Sequence, residues 1–116
     1  MRNISFSLTK DQFRARTKTE TRRLGWWFLK PGDLLMGCEK CQGLKPGEPI
    51  VRMGAVRVVN LFRERLDAIT AEAVVREGFP DMAPPEFVAM FCKHMKVKPF
   101  KIITVIKFEY VEGEAN

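Results

Sequence analysis

Residues 100–111 read FKIITVIKFEYV, with Ile, Val and aromatic side chains following one another almost without polar interruption. A strand with one wet face alternates apolar and polar residues, whereas a run this continuous is buried on both faces. The rest of the chain must therefore supply cover on both sides of it. NISFSL, with Ile4, Phe6 and Leu8 alternating with polar residues, reads as a half-buried strand, and Thr9 can cap a short helix, KDQFRAR. KPGDLLMG is a turn at Pro31-Gly32 feeding a strand, and Gly32-Asp33 has no more than a turn's role. CEKCQGLKPGEP is a loop, and a long strand is expected over 50–61, with Gly54 a candidate bulge.

AITAEAVVREGF reads as a helix capped by Thr70, with Glu72 in its first turn and Gly78 at its stop. Pro85 suits the first turn of a further helix, EFVAMFCKHM, where Phe87, Met90 and Phe91 share one face. EGEAN is expected to fray, so the domain covers 1–112 and the tail 113–116. Strands interrupted by helices within 116 residues imply one α+β domain, a small mixed sheet or barrel flanked by helices.

No apolar run approaches the roughly 18 residues that a membrane helix needs, and MRNISFSLTKDQF lacks a signal's apolar core, so a cytoplasmic protein is expected. Lys and Arg number 20 against 14 Asp and Glu, a net charge of +6 that favours an anionic partner. The excess concentrates in residues 10–30, around RTKTETRR, which holds Arg16, Lys18, Arg22 and Arg23. Such a run is most often a solvated loop.

The order Lys18-Thr19-Glu20-Thr21-Arg22-Arg23, then KPGD, the strands, AITAEAVVREGF and IKFEYV resembles the ASCH domain family across nearly the whole chain. The resemblance implies a PUA-like mixed β-barrel with helices packed around it. Against the family's Gly-x-Lys-x-x-Glu-x-Arg signature, Lys18 and Arg23 match, Arg16 stands at the glycine and Thr21 at the glutamate. Threonine there is what the bacterial N4-acetylcytidine amidohydrolases of the family carry. Their lysine, threonine and later glutamate form a catalytic set, which the resemblance carries onto Lys18, Thr21 and Glu77. CQGLKPGE and EGFPDMAPPEFVAMFC look more like phage and prophage ASCH proteins.

Chemically, amide hydrolysis on a nucleobase needs a nucleophile, an oxyanion donor and an acid for the leaving amine. Lys18 can serve as nucleophile if burial and neighbouring cations lower its pKa, with Arg16, Arg22 and Arg23 the candidates. Thr21 can donate to the oxyanion and Glu77 can shuttle the proton. Residues 18 and 21 are expected in an irregular segment, since strand parity would point them apart. Trp26 or Trp27 can stack on a base, or one can cap the barrel while the other lies half exposed; Trp26 is taken as the contact. Lys45 can reach phosphate from GLKPGE.

Cys38-x-x-Cys41 and Cys92-x-His94 have zinc-ligand types, but the second spacing is short and no metal or other cofactor is expected. Three cysteines without a signal imply reduced thiols. The partner expected is RNA or a modified nucleoside. The readings carried forward are an amidohydrolase of an N4-acylated cytidine and a non-catalytic RNA-binding module. Ribonuclease chemistry is disfavoured by the single histidine.

Overall fold

The computed structural model describes residues 1–112; the tail expected at 113–116 lies outside the described residues. Five strands, β1 (Arg2–Ser5), β2 (Glu20–Arg23), β3 (Leu34–Cys38), β4 (Arg52–Arg65) and β5 (Ile102–Tyr110), form one sheet in the order β1-β3-β4-β5-β2. β1 and β3 run parallel, and every other pairing is antiparallel. The helices are α1 (Lys10–Arg14), α2 (Ala71–Arg76) and α3 (Pro84–Met95), with a single 3-10 turn at Leu66–Ala68. This is a mixed half-barrel with α2 and α3 against its outer face and α1 on the barrel side, in one α+β domain.

β5 is buried on both faces, as its composition demands. Ile106 and Phe108 enter the barrel core with Ile4, Phe6, Phe13, Leu35, Val56 and Val58. Ile103 and Val105 enter a second core with Val74, Phe87 and Phe91 of α2 and α3. Phe13 of α1 reaches into the barrel because Gly37 of β3 has no side chain: a Cβ there would overlap its ring.

β4 departs from expectation by starting at Arg52 and continuing to Arg65, since pairing with β5 persists to Arg65↔Ile102. It carries two irregularities. Beside Gly54, Met53 is passed over in the pairing with β3, so the bulge expected at the glycine falls next to it. Val59 is passed over in the pairing with β5. An extra residue reverses strand parity and tightens the twist. Val56 and Val58 therefore face the barrel before the bulge and Leu61 does so after it, while Phe62 turns to the helices.

α2 begins as its sequence indicates, with Thr70 Oγ1 accepting from Ala73 N–H at 3.1 Å, and Gly78 follows its end at φ 106°. Pro84 and Pro85 open α3, where Glu86 accepts from the backbone N–H of Ala83 at 2.7 Å. Two local expectations fail. Thr9 stands at the α1 cap without a side-chain capping bond. Leu8 is exposed because β1 stops at Ser5 and the chain turns before it.

Candidate functional site

β1 and β2 are the two edges of the half-barrel, and a cavity of about 210 Å³ opens where they approach. Its polar wall includes Ser5, Thr9, Lys18, Thr21, Arg22, Arg23 and Glu77; its apolar wall comes from Phe6, Phe79 and the α3 residues Phe87, Met90 and Phe91. The three apolar α3 positions read at helical spacing thus line this cleft.

β2 alternates across it. Thr21 pairs with Ile106 and Arg23 with Thr104, so both take the barrel face. Glu20 and Arg22 take the helix face. Lys18 precedes the strand, so parity does not constrain it, whereas Thr21 lies within the strand rather than in an irregular segment. Glu77 comes from the end of α2. Lys18, Thr21 and Glu77 are 2%, 3% and 3% exposed, and all three contribute to the cavity wall.

Lys18 Nζ donates to Glu77 Oε1 and to the Glu77 main-chain carbonyl, both at 2.7 Å. Two of the ammonium's three donors are thereby used. Burial pushes the Lys18 pKa down; Glu77 opposes this by charge and hydrogen bond without cancelling it, and Arg23 and Arg22 add to the lowering. The Tyr110 hydroxyl donates to the Lys18 carbonyl at 2.6 Å and fixes the backbone beneath it. Burial pushes the Tyr110 pKa up to about 12, so that hydroxyl stays a donor.

Arg22 ties the network together. Nη1 donates to Glu20 Oε2 at 2.6 Å and to Glu77 Oε2 at 3.2 Å, and Nη2 to Glu64 Oε2 at 3.1 Å. Its Nε is buried without a partner. Burial disfavours the charge on Arg22, but Glu20 and Glu77 outweigh it and raise the pKa. Glu20 also receives Arg76 Nε at 2.7 Å. Burial would raise the Glu20 carboxyl, yet the bonds from Arg76 and Arg22 hold it below the ordinary carboxylate range.

Carboxylates thus face Lys18, Arg22 and Arg76, whereas Arg23 bonds only uncharged oxygens: Nε to Thr21 Oγ1 at 3.0 Å and Nη2 to the Ser5 carbonyl at 2.5 Å. The second bond bridges the two sheet edges. Burial pushes the Arg23 pKa down to about 10, leaving it a cation at neutral pH. The surplus positive charge of this cleft is therefore Arg23. Its Nη1 has no partner among the described residues.

Other residues singled out from the sequence lie elsewhere. Arg16 is exposed, pairs with Glu112 and stacks on Tyr110; it is not among the cations acting on Lys18. Trp26 is half-buried against the barrel core and the Phe28 ring, and Trp27 is the exposed member of the pair. Lys45 is exposed in its loop, where its backbone N–H donates to Glu48 at 2.9 Å. Cys38 is buried in β3 and Cys92 packs with the helix-side core, and no group of three metal-ligating side chains occurs among the described residues. No described helix is long and apolar enough to cross a membrane.

Sequence reasoning missed Glu20, Glu64 and Tyr110. Glu20 stood inside the motif, and its position two residues before Arg22 on one strand face was the available signal.

No family model matches the sequence, and no curated protein matches it. Solved structures do match its fold. The ASCH domain from Lactobacillus crispatus JV V101 superposes with TM-score 0.60 at 10% identity, covering 94% of this chain and 79% of that one. Hypothetical protein PH0355 gives TM-score 0.63 at 15% identity over 94% and 97% of the two chains. Protein EF3133 from Enterococcus faecalis V583, described by family-model DUF984, gives 0.62 at 13% over 87% and 68%. The chain has an ASCH-like, PUA-like fold, as the sequence resemblance implied.

Proposed function

We propose, on an ASCH-like fold with a Lys18–Thr21–Glu77 cleft, that the protein binds a nucleobase and hydrolyses an amide on its exocyclic amine, as in an N4-acylated cytidine. The observation carrying this is the convergence of a Lys–Glu pair and a hydroxyl whose proton is uncommitted on the wall of one partly apolar cavity. Flat apolar walls suit a base, and Arg23 Nη1 suits its ring acceptors.

The roles follow from the bonds. Attack by the Lys18 amine would leave an alkyl amide more stable than the activated N-acyl cytosine, which would halt turnover. Water is therefore the nucleophile. Glu77 takes a proton from water as its oxygen bonds to the acyl carbon. Thr21 Oγ1 accepts from Arg23, which leaves its O–H to donate to the oxyanion. The C–N bond breaks as the leaving nitrogen takes a proton from Lys18, whose lowered pKa makes it a better acid. The proton on Glu77 returns to Lys18 across their 2.7 Å contact. The products are the carboxylic acid and the free amino base.

The test is conversion of N4-acetylcytidine to cytidine. Glu77→Gln is expected to lower kcat about 10²–10⁴-fold, the usual worth of a general base. Thr21→Val is expected to lower it about 10²-fold as an oxyanion donor. In the unaltered protein the rate should fall as pH rises through the Lys18 pKa, earlier than an unburied lysine would dictate. A second reading, an RNA-binding module without catalysis, has one observation in its favour: both Glu77 carboxylate oxygens are already engaged, Oε1 by Lys18 and Oε2 by Arg22, which restricts their access to a water. No turnover, with salt-sensitive RNA binding retained, selects that reading.

A further inference from the structure

The loop leaving β2 directly after Arg23 carries Trp27 and Phe28, which are 44% and 57% exposed. Each ring is matched with an arginine. The Arg63 guanidinium lies over the Trp27 ring, and that of Arg2 sits 4.6 Å from the Phe28 centroid. Most other surface arginines have carboxylate partners, as Arg14 with Glu39, Arg57 with Glu109 and Arg65 with Asp67; Arg52 is exposed without one among the described residues but has no aromatic ring beside it there. Neither Arg2 nor Arg63 has an ion-pair partner among the described residues.

The register relates these pairs to the cleft. Thr104 of β5 stands opposite Arg23 on one side and Arg63 on the other, so Arg23, Thr104 and Arg63 form a row on one face. At strand spacings of about 4.8 Å, Arg63 lies roughly 10 Å from the cleft residue Arg23. Thr104 Oγ1 donates to the Gly25 carbonyl and holds the loop over that row. On the other edge, Arg2 begins the strand that ends in Ser5, at the cavity wall.

We infer that the Trp27–Arg63 and Phe28–Arg2 pairs form a second binding surface, which holds single-stranded RNA flanking the base in the cleft. Two half-exposed rings offer stacking planes to unpaired bases, and two guanidiniums without carboxylates offer charge to the phosphates. A duplex hides the base faces that the rings need. RNA as the occupant rests on reading the cleft as a site for a cytidine base, and the net charge of +6 agrees with a polyanion.

The experiment is fluorescence anisotropy of the whole protein with a fluorescein-labelled oligouridylate, and with a labelled RNA duplex beside it. Single-strand binding should exceed duplex binding and should quench tryptophan emission. Trp27→Ala should weaken it about tenfold or more, the usual effect of losing one stacked base. Arg63→Ala should lower the slope of log affinity against log salt by about one, as for one phosphate contact. Arg63→Glu, an exposed change that spares the loop, should abolish binding. Unchanged affinity in Trp27→Ala and Arg63→Glu, or duplex binding as tight as single-strand binding, overturns the inference. Turnover of free N4-acetylcytidine by the unaltered protein reads the cleft alone, so failure of the catalytic reading and failure of this surface are separable.

Discussion

Arg16 and Lys18 stand two residues apart in one basic run, yet they occupy different media. Arg16 lies in water against Glu112, where a charge pair is screened and its worth is small. Lys18 is enclosed with Glu77, where removing water raises the cost of charge and the value of each remaining contact. Arg22 goes further, with three carboxylates around one guanidinium. Crowded cations are thus not one feature. The outer one is surface, while the inner ones are a network that restrains the buried Lys18–Glu77 pair.

Substitutions can break this contrast. The largest expected effect is on turnover, where Glu77→Gln should cost about 10²–10⁴-fold while Arg16→Ala leaves the rate of N4-acetylcytidine hydrolysis within about twofold. Equal losses in the two variants would mean that the buried pair has no special role. Next comes stability. Glu20→Ala leaves Arg22 and Arg76 short of a buried carboxylate and should cost about 3 kcal/mol in urea denaturation. Acid should expose the same group more gradually. Glu20 titrates near 4.3 when unfolded and lower when folded, so its contribution is complete above that value and drains away as pH falls through the folded pKa. Glu20→Ala should flatten that acid limb of the stability curve. Smallest is Arg16→Ala, expected within about 0.5 kcal/mol of the unaltered protein, with any difference fading in salt.

Much of the architecture was legible because it rests on local chemistry. The unbroken apolar run over β5 announced its two-sided burial, and Thr70 with Gly78 marked α2 through a cap and a stop. β4 was harder. The bulge at Val59 reverses which residues face inward, so no single alternation describes VRVVNLFRER, and its last residues look polar although they pair with β5. The site was legible only in part. Lys18, Thr21 and Glu77 followed from the family resemblance, and the structure places all three on one cavity wall. That Glu20 and Glu64 neutralise Arg22 depends on strands separated widely in sequence. Trp26 and Trp27 are adjacent and chemically identical, and only the path of the loop decides which is exposed.

Lys18 grips the Glu77 main-chain carbonyl as well as its carboxylate, at the residue that ends α2. The ammonium therefore anchors the helix that carries its own partner. Removing Lys18 loosens the frame along with the chemistry, so such a variant cannot report cleanly on either. A substrate-trapping form is better built at Glu77→Gln, which keeps that carbonyl, the ammonium and the shape of the cavity. On the proposed reading, crystals of that variant grown with an acylated nucleoside should hold the base with its amide intact.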